Sequence, residues 1–365
     1  MRMAVAAGRG TPKAGALDSW IVSRAVSLGY SNARVKAMKE TLLQQKDISA
    51  MAEAGGVGEI YALLEKTGYR QDLVAGALKD RTLADHVEFA CAKNFSRTLA
   101  KIIRISPKGL GAKIMQMFEK YEVDNIKAIL LGKHLGGESI ALVETGIIPA
   151  PARARMLDAK SVKEAVAALA GTPYAPVLEK AMREYEKERD ISALLHALDS
   201  YYYSRLPEIA HNPYGDEKVI LGMLRAQVDA KNVSTALRAV KEGMKEEAAM
   251  ALMAHGGKIG RDRLRQALGA KSAEEAMRQF EKEFGLGKAI EAHRKNGTLI
   301  PAEIEAEKAV ARKGLSLLRT SVLSIGAIAG FLFLKEQEVA NIRKIVRAKE
   351  FGLGAEKAKE MLVMV

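Results

Sequence analysis

The feature that most limits how this chain can fold is a helix-like pattern that occurs three times at wide spacing. Each copy has an acidic residue, an asparagine three positions later and a glycine eleven positions after the asparagine. The copies are Glu122, Asn125 and Gly136; Asp229, Asn232 and Gly243; and Glu338, Asn341 and Gly352. The asparagines are 107 and 109 positions apart, which is the size of a domain rather than of a short solenoid repeat. The pattern therefore predicts three similar units.

The residues around each asparagine predict a helix that buries one face. Apolar residues stand one, four and five positions after the asparagine, and a small residue stands seven positions after it. This spacing forms an apolar stripe along a helix. The glycine is where such a helix ends in a left-handed cap. We expect the asparagine amide to satisfy backbone groups where helices meet, and not to take part in catalysis.

A second recurring segment is a short capped helix followed by an aromatic residue. The three copies lie in residues 58–73, 163–178 and 274–290, with Tyr69, Tyr174 and Phe284 in the aromatic place. In the second and third copies a serine and a glutamate have the spacing of a capping box, namely Ser161 with Glu164 and Ser272 with Glu275. We expect each unit to contain a capped helix ending in an aromatic residue, further helices and an asparagine-bearing helix.

Composition favours an all-α fold of several packed units. Hydrophobic residues make up 48% of the 365 residues and aromatic residues only 5%, and little of the chain alternates with the period of a strand. The expected organisation is a lead-in over 1–27, helical subdomains over 28–117, 118–222 and 223–330, and a C-terminal copy of the asparagine repeat over 331–365. Three similar units predict a body with pseudo-threefold symmetry.

Motifs of catalytic and cofactor sites are absent from the sequence. It contains no GxxxxGK[ST] loop, its six histidines are scattered, and its one cysteine, Cys91, is flanked by apolar residues. We therefore expect no catalytic residue, no cofactor and no metal, and we expect Cys91 to be a small buried side chain in a reducing cytoplasm. The uncharged segment 320–334 is too short to span a membrane and is predicted to be a buried soluble segment.

The net charge of +13 predicts an anionic partner, which is a nucleic acid, an anionic lipid or an acidic protein. Arg97, Lys101 and Arg104 have helical spacing and would present one face to phosphates. No reader motif or aromatic stacking platform accompanies them. A basic helical scaffold that binds nucleic acid is therefore the alternative function, and an enzyme with an unrecognised site is the weaker third.

Several long stretches resemble the C subunits of archaeal-type (A-type/V-type) rotary ATP synthases, the counterparts of the V-ATPase d subunit. The stretches are YSNARVKAMKETLL (30–43), NFSRTLAKIIRISP (94–107), NIKAILLGK (125–133), GTPYAPVLEKAM (171–182), ALDSYYYSRL (197–206) and LKEQEVANIRKIVRAKEFGL (334–353). The resemblance extends over nearly the whole chain, from about Tyr30 to Leu353. The stretch before Trp20 has no clear counterpart.

The resemblance implies a mechanical role. It predicts a funnel-shaped, all-helical, non-catalytic protein of the central stalk, peripheral on the cytoplasmic face of the plasma membrane. Its partners would be a rotary shaft, made of the D and F subunits, at a socket-like end and the membrane proteolipid ring at the other. It would transmit torque for ATP synthesis linked to proton or sodium transport, and it would bind no nucleotide and no nucleic acid. No contact residue at either interface is predicted.

The copy of the repeat that contains Asn232, in the third unit, differs from the other two at basic positions. Ser234 stands where the other copies have Lys127 and Arg343, and Val240 stands where they have Lys133 and Lys349. If these positions contact the ring or the shaft, we expect the third unit to contact it less strongly.

Overall fold

The structure is a computed structural model that describes residue 26 and residues 28–73, 81–107, 109–136, 148–205 and 216–365. Apart from Val26, the predicted lead-in lies outside these residues. Within them the regular elements are helices, and no strand occurs. The predicted all-α class is confirmed.

The helices follow one another in short steps. In chain order they are α1 (28–38), a 3-10 turn (Lys39–Thr41), α2 (Gln45–Glu53), α3 (Val57–Leu64), α4 (Leu83–Ile105), α5 (Leu110–Met117), α6 (Glu119–Leu135), α7 (Ala150–Asp158), α8 (Val162–Ala167), α9 (Ala175–Glu188), α10 (Ser192–Ser204), α11 (Asp216–Lys241), α12 (Glu246–Ala251), α13 (Arg261–Leu268), α14 (Ala273–Gln279), α15 (Glu281–Phe284), α16 (Gly287–Asn296), α17 (Ile300–Thr320), α18 (Gly326–Glu350) and α19 (Ala355–Glu360). Helices α6, α11 and α18 carry the repeated asparagines, and we call them the Asn helices.

Three connecting helices join the Asn helices in space. Helix α10 packs against α6, and its Asp199 pairs with Lys231 of α11. Helix α17 packs against both α11 and α18. Helix α4 packs against α18, and its Phe95 contacts the ring of Tyr121 of α6. Each connecting helix therefore lies between two Asn helices, and the next Asn helix follows it in the chain.

The C-terminal Asn helix packs with the N-terminal helices. Helix α18 contacts α2, α3 and α4, and α19 contacts α2. The apolar core follows this arrangement, because Ile342 and Ile345 of α18 belong to the same buried cluster as Ile60 and Leu64 of α3. Most of the buried apolar residues from α11 to α17 form a second cluster. The two ends of the described chain therefore build one common core.

The segment 320–334 is buried only in its second part. Ile325 and the first residues of α18 are buried, as predicted. Val322 and Leu323 are 67% and 51% exposed, so the prediction of burial is wrong for these two residues. They lie in the connection between α17 and α18, outside either helix. No helix in the described ranges combines the length and apolar character needed to cross a bilayer.

Glycine allows α17 and α18 to approach closely. A Cβ atom at Gly330 would overlap the carbonyl oxygen of Gly314 and would lie 2.7 Å from the amide nitrogen of Leu318. Both obstacles are backbone atoms of α17, which cannot move aside as a flexible side chain can. The close packing of these two helices therefore requires glycine at position 330.

We predict that Gly330→Ala lowers the free energy of unfolding by roughly 2–3 kcal/mol, because overpacking against backbone outweighs the gain in helix propensity. Gly222→Ala in α11 is the matched control, since a Cβ atom there meets the Lys313 Nζ atom at an ordinary 3.5 Å. Urea unfolding followed by circular dichroism measures both changes. Equal midpoints for the two variants would contradict the prediction.

Candidate partner-binding site

The asparagines bind backbone across the helix junctions. The amide group of Asn232 donates to the carbonyl oxygen of Ala254 at 2.9 Å and accepts from the amide of the same residue at 2.8 Å. Asn341 forms the same pair of bonds with Val363, at 2.7 and 3.0 Å. Each partner lies 22 residues after its asparagine. Asn125 is also buried, but the equivalent residue 147 lies outside the described residues.

The repeated acids bind backbone amides just before the start of another helix. Glu122 accepts from the amide of Ile148 at 2.6 Å, and Asp229 accepts from the amide of Ile259 at 2.9 Å. In both units that amide lies two residues before a helix, α7 or α13. Glu338 accepts from the amide of Leu43 at 2.5 Å, and Leu43 lies two residues before α2. The C-terminal Asn helix is therefore completed by residues from the opposite end of the chain.

Two of the three acids also bind the repeated tyrosine. The hydroxyl of Tyr174 donates to Glu122 at 2.7 Å, and that of Tyr69 donates to Glu338 at 2.7 Å. Burial raises the pKa of both tyrosines, so each hydroxyl keeps the proton that it donates. The ammonium group of Lys335 lies 2.5 Å from Glu338 and balances its charge.

The third unit has no such hydroxyl. Phe284 is buried in the aromatic place, and the acid there is the shorter Asp229. Gly257 lets the backbone come close to this carboxylate, because a Cβ atom at Gly257 would overlap its Oδ1 atom. In this unit the backbone at Gly257 therefore lies close to the Asp229 carboxylate, where the other two units have a tyrosine hydroxyl beside the acid.

The short helices before the aromatic residues are capped alike. The hydroxyls of Ser161 and Ser272 accept from the amides of Glu164 and Glu275, each at 3.2 Å. The glutamates reach back to the amide of the residue preceding the serine, at 2.8 and 2.9 Å. In the first unit Glu59 accepts from Gly55 in the same way, at 2.8 Å. The serine caps are as predicted, and the glutamates reach one residue further back than in a standard capping box.

The three repeat glycines have left-handed backbone conformations. The φ angles of Gly136, Gly243 and Gly352 are 70°, 63° and 70°. After the last two, the amides of Met244 and Leu353 bond to carbonyls five residues back, at 2.9 and 2.8 Å. These are the bonds of a Schellman helix end, in which glycine avoids a steric penalty.

The opposite faces of the Asn helices meet one another. Counting from the asparagine as position 0, the residues at position −5 are Lys120, Gln227 and Glu336. Lys120 forms an ion pair with Glu336, and the Gln227 amide donates to Glu336 at 3.3 Å. One carboxylate therefore binds the equivalent residue of each of the other two Asn helices.

Beyond this contact the helix faces carry charge. Positions −1, +2 and +6 lie on the same side as −5, because they are separated by four, seven and eleven residues along a helix. Lys127 and Lys231 share Asp199 of α10, at 2.9 and 3.7 Å. Lys344, on the edge of the same face, pairs with Glu307 of α17 at 2.7 Å. The connecting helices thus supply carboxylates to cations of the Asn helices.

The C-terminal ends of this face are exposed to solvent on α6 and α18. Asp124 at position −1 is exposed, although desolvation by surrounding protein atoms raises its pKa. Leu131 at +6 is 39% exposed, and Leu135 and Phe351 at +10 are 71% and 77% exposed. A cavity of about 320 Å³ between α11, α17 and α18 is lined by residues of this face, including Lys231. We call the faces at positions −5 to +10 the inner walls.

Of the three cations predicted to face phosphates, Arg97 is engaged within the chain. Arg97 binds Asp72, with its Nη2 atom 2.6 Å and its Nε atom 3.2 Å from the two carboxylate oxygens. Asp72 is buried, so the guanidinium group compensates its charge. Cys91 is fully buried, and burial raises its pKa to about 12. In the described ranges, no cluster of His, Cys, Asp and Glu could hold a metal ion.

Comparison with known proteins identifies the family. The family model "ATP synthase (C/AC39) subunit" matches residues 31–361. The chain belongs to this family. It is 26% identical to the C subunit of the A-type ATP synthase of Methanocaldococcus jannaschii, with 94% of this chain and 89% of the relative covered. The corresponding C subunits of Methanobrevibacter smithii and Methanococcoides burtonii are 28% and 29% identical, with 91% and 92% of this chain and 87% and 94% of the relatives covered.

Membership of the ATP synthase (C/AC39) family confirms the resemblance seen in the sequence. The matched region contains all nine repeat residues and the inner walls. The sequence patterns indicated the residues that hold the Asn helices in place but did not indicate the inner walls. Their signal in the sequence was position +2, where the Asn232 copy has Ser234 in place of a basic residue. As a member of this family the chain is a structural subunit of a rotary ATP synthase.

We predict that Asn341→Ala lowers the free energy of unfolding by about 2–4 kcal/mol, because it leaves both backbone groups of Val363 without their partner. Asn232→Ala is the matched control. Its backbone partner Ala254 is held on both sides by helices α12 and α13, whereas Val363 is preceded by α19 and followed by no helix. Hydrogen exchange should accelerate more in residues 361–365 of the first variant than in residues 252–259 of the second. The reverse order would show that Asn341 does not fix the C-terminal segment.

We predict that Asp229 makes a pH-dependent contribution to the free energy of unfolding. Burial raises the pKa of this carboxyl, although the Ile259 and Lys258 amides oppose the shift. A raised folded-state pKa favours stability at low pH, and this contribution is lost as the pH rises through that pKa. Asp229→Asn keeps an acceptor for Ile259 and removes the titration. Its stability relative to the parent should therefore increase as the pH rises from about 4, the ordinary range of an Asp carboxyl, through the raised pKa.

Thermal unfolding at several pH values measures this difference. Asp262→Asn, at a fully exposed side chain, serves as the control for removing a carboxylate. A relative stability of Asp229→Asn that falls with rising pH would contradict the sign of the predicted shift.

Proposed function

We propose that this chain is the non-catalytic part of the central stalk that couples a shaft, formed by the D and F subunits, to the membrane proteolipid ring. The observation that carries the proposal is the geometry of the inner walls. They meet at Lys120, Gln227 and Glu336, and they are exposed toward the other ends of the Asn helices. Walls that join at one end and open at the other form a socket for the end of a shaft.

The proposed body consists of three similar helical subdomains about a pseudo-threefold axis, with a funnel shape. Three observations support it. Equivalent acids bind equivalent backbone amides, Asn232 and Asn341 bind residues at the same spacing, and Lys120 and Gln227 both bind Glu336, the equivalent residue of the third Asn helix. In this proposal the N-terminal unit, 28–117, is completed by the C-terminal segment 331–365. The units 118–222 and 223–330 are each formed from continuous chain.

Torque transmission requires a body that does not yield when one end is turned. The Asn helices are joined to the connecting helices by buried contacts and ion pairs, such as Arg347 with Glu88 at 2.7 Å. Close-packed helices have low compressibility. A socket with such walls would pass rotation between shaft and ring with little loss.

The proposed place is the cytoplasmic face of the plasma membrane, where the chain would be peripheral. The net charge of +13 supports a position close to anionic headgroups or an acidic partner surface. The complex would synthesise ATP at the expense of a proton or sodium gradient. The chain would bind neither nucleotide nor nucleic acid, and the engagement of Arg97 by Asp72 weakens the nucleic-acid alternative.

Gel filtration tests the proposal. The chain is mixed with the purified D–F pair of the same complex at about 150 mM salt, where exposed charges are screened beyond ~8 Å. A duplex DNA mixture runs in parallel. We expect co-elution with the shaft pair and none with DNA. Co-elution with DNA alone would overturn the stalk proposal in favour of a basic scaffold.

A further inference from the structure

The inner walls differ at position +2, although the helices that form them are held alike. This position carries Lys127 on α6, Ser234 on α11 and Arg343 on α18. Each lies seven residues, or about two helical turns, beyond the contact formed by Lys120, Gln227 and Glu336. All three are half-buried. Equivalent positions in the proposed socket thus offer a cation, a neutral hydroxyl and a second cation.

The two cations are not in the same state. Lys127 already has a carboxylate partner within the chain, Asp199 at 2.9 Å, which it shares with Lys231. Arg343 has no hydrogen-bond or ion-pair partner in the described ranges, and its Nε atom is buried without a partner. A half-buried guanidinium group is costly to leave unpaired, because burial removes hydrating water that no protein acceptor replaces. Neighbouring Lys344 and Arg347 do have carboxylate partners.

We propose that Arg343 receives a carboxylate from the end of the shaft, and that this bond fixes one rotational orientation of the shaft in the socket. The inference rests on the proposed function. A planar guanidinium group binds a carboxylate through two parallel hydrogen bonds, which specifies direction as well as charge. Neither Ser234 nor the already paired Lys127 can take its place.

A fixed orientation requires such a bond because the three walls of the proposed socket are similar. A shaft end inserted between them would otherwise bind in three orientations of nearly equal free energy. Rotation of the shaft from one orientation to another within the socket would release torque without transmitting it. One unpaired cation on one wall makes the three binding free energies unequal, and specificity is such a difference in binding free energy between alternatives. Exposed Leu131 and Phe351 add apolar contact area further along two of the walls.

The experiment measures the affinity of the full-length chain for the purified, fluorescently labelled D–F pair at about 150 mM salt. The variants are Arg343→Ala, Arg343→Lys and Arg343→Ser, together with the charge-conserving exchange Ser234→Arg with Arg343→Ser. Arg312→Ala is the matched control, because Arg312 is an exposed arginine of α17 that pairs with Glu305. Helicity and melting temperature are recorded for each, and we expect no loss of stability from Arg343→Ala because it breaks no internal bond.

We expect Arg343→Ala and Arg343→Ser to weaken binding about 10- to 100-fold, as for a lost charge-assisted pair. Arg343→Lys should be intermediate and Arg312→Ala unchanged. The exchange variant should bind more tightly than Arg343→Ser alone, because the cation then stands at the equivalent position of another wall and the shaft can turn to meet it. Parental affinity in Arg343→Ala, or an exchange variant that binds no better than Arg343→Ser alone, would overturn the inference while leaving the stalk function standing. Failure of the parent chain to bind the shaft would instead overturn the proposed function, and this inference with it.

Discussion

The structure depends on a buried carboxylate of each Asn helix that binds a backbone amide just before the start of another helix. Glu338 shows the interaction at its fullest, because it accepts from the Leu43 amide and the Tyr69 hydroxyl and lies beside the Lys335 ammonium group. A carboxylate buried this deeply needs such partners, and removing one partner of a buried pair typically costs about 3–5 kcal/mol. Since Leu43 and Glu338 stand near opposite ends of the described chain, this bond joins the two ends.

With the outer side of each Asn helix fixed in this way, the inner side is free to serve another purpose. The asparagine and the acid lie on one side of the helix, and positions −5, +2 and +6 lie on the other. The first side binds its own unit and varies little among the copies. The second side is where the three helices contact one another and where they differ in charge. Each Asn helix thus has one face that anchors it in the same way in every copy and another face that varies. This combination suits a subunit that is rigid and also selective for its partner.

The sequence predicted the helical fold class and the family, because both can be recognised from residue patterns within short stretches of the chain. It also predicted that the asparagines bind backbone, since an amide on an apolar stripe must be satisfied there. It did not predict which aromatic residue belongs with which Asn helix. Tyr69 binds Glu338 across 269 residues, and no local spacing reports a contact of that separation. Burial of 320–334 was predicted too broadly, because hydropathy does not locate a helix end.

By itself the sequence determined where each Asn helix begins to bury its stripe, where glycine ends it, and that the pattern occurs three times. Each of these depends on residues within a few turns of one another. Only the tertiary structure decided that Lys120, Gln227 and Glu336 meet, and that Lys127 is paired while Arg343 is not. The physical reason is that a charge acquires its role from what lies opposite it, and here the opposite residues come from other helices far away in the chain.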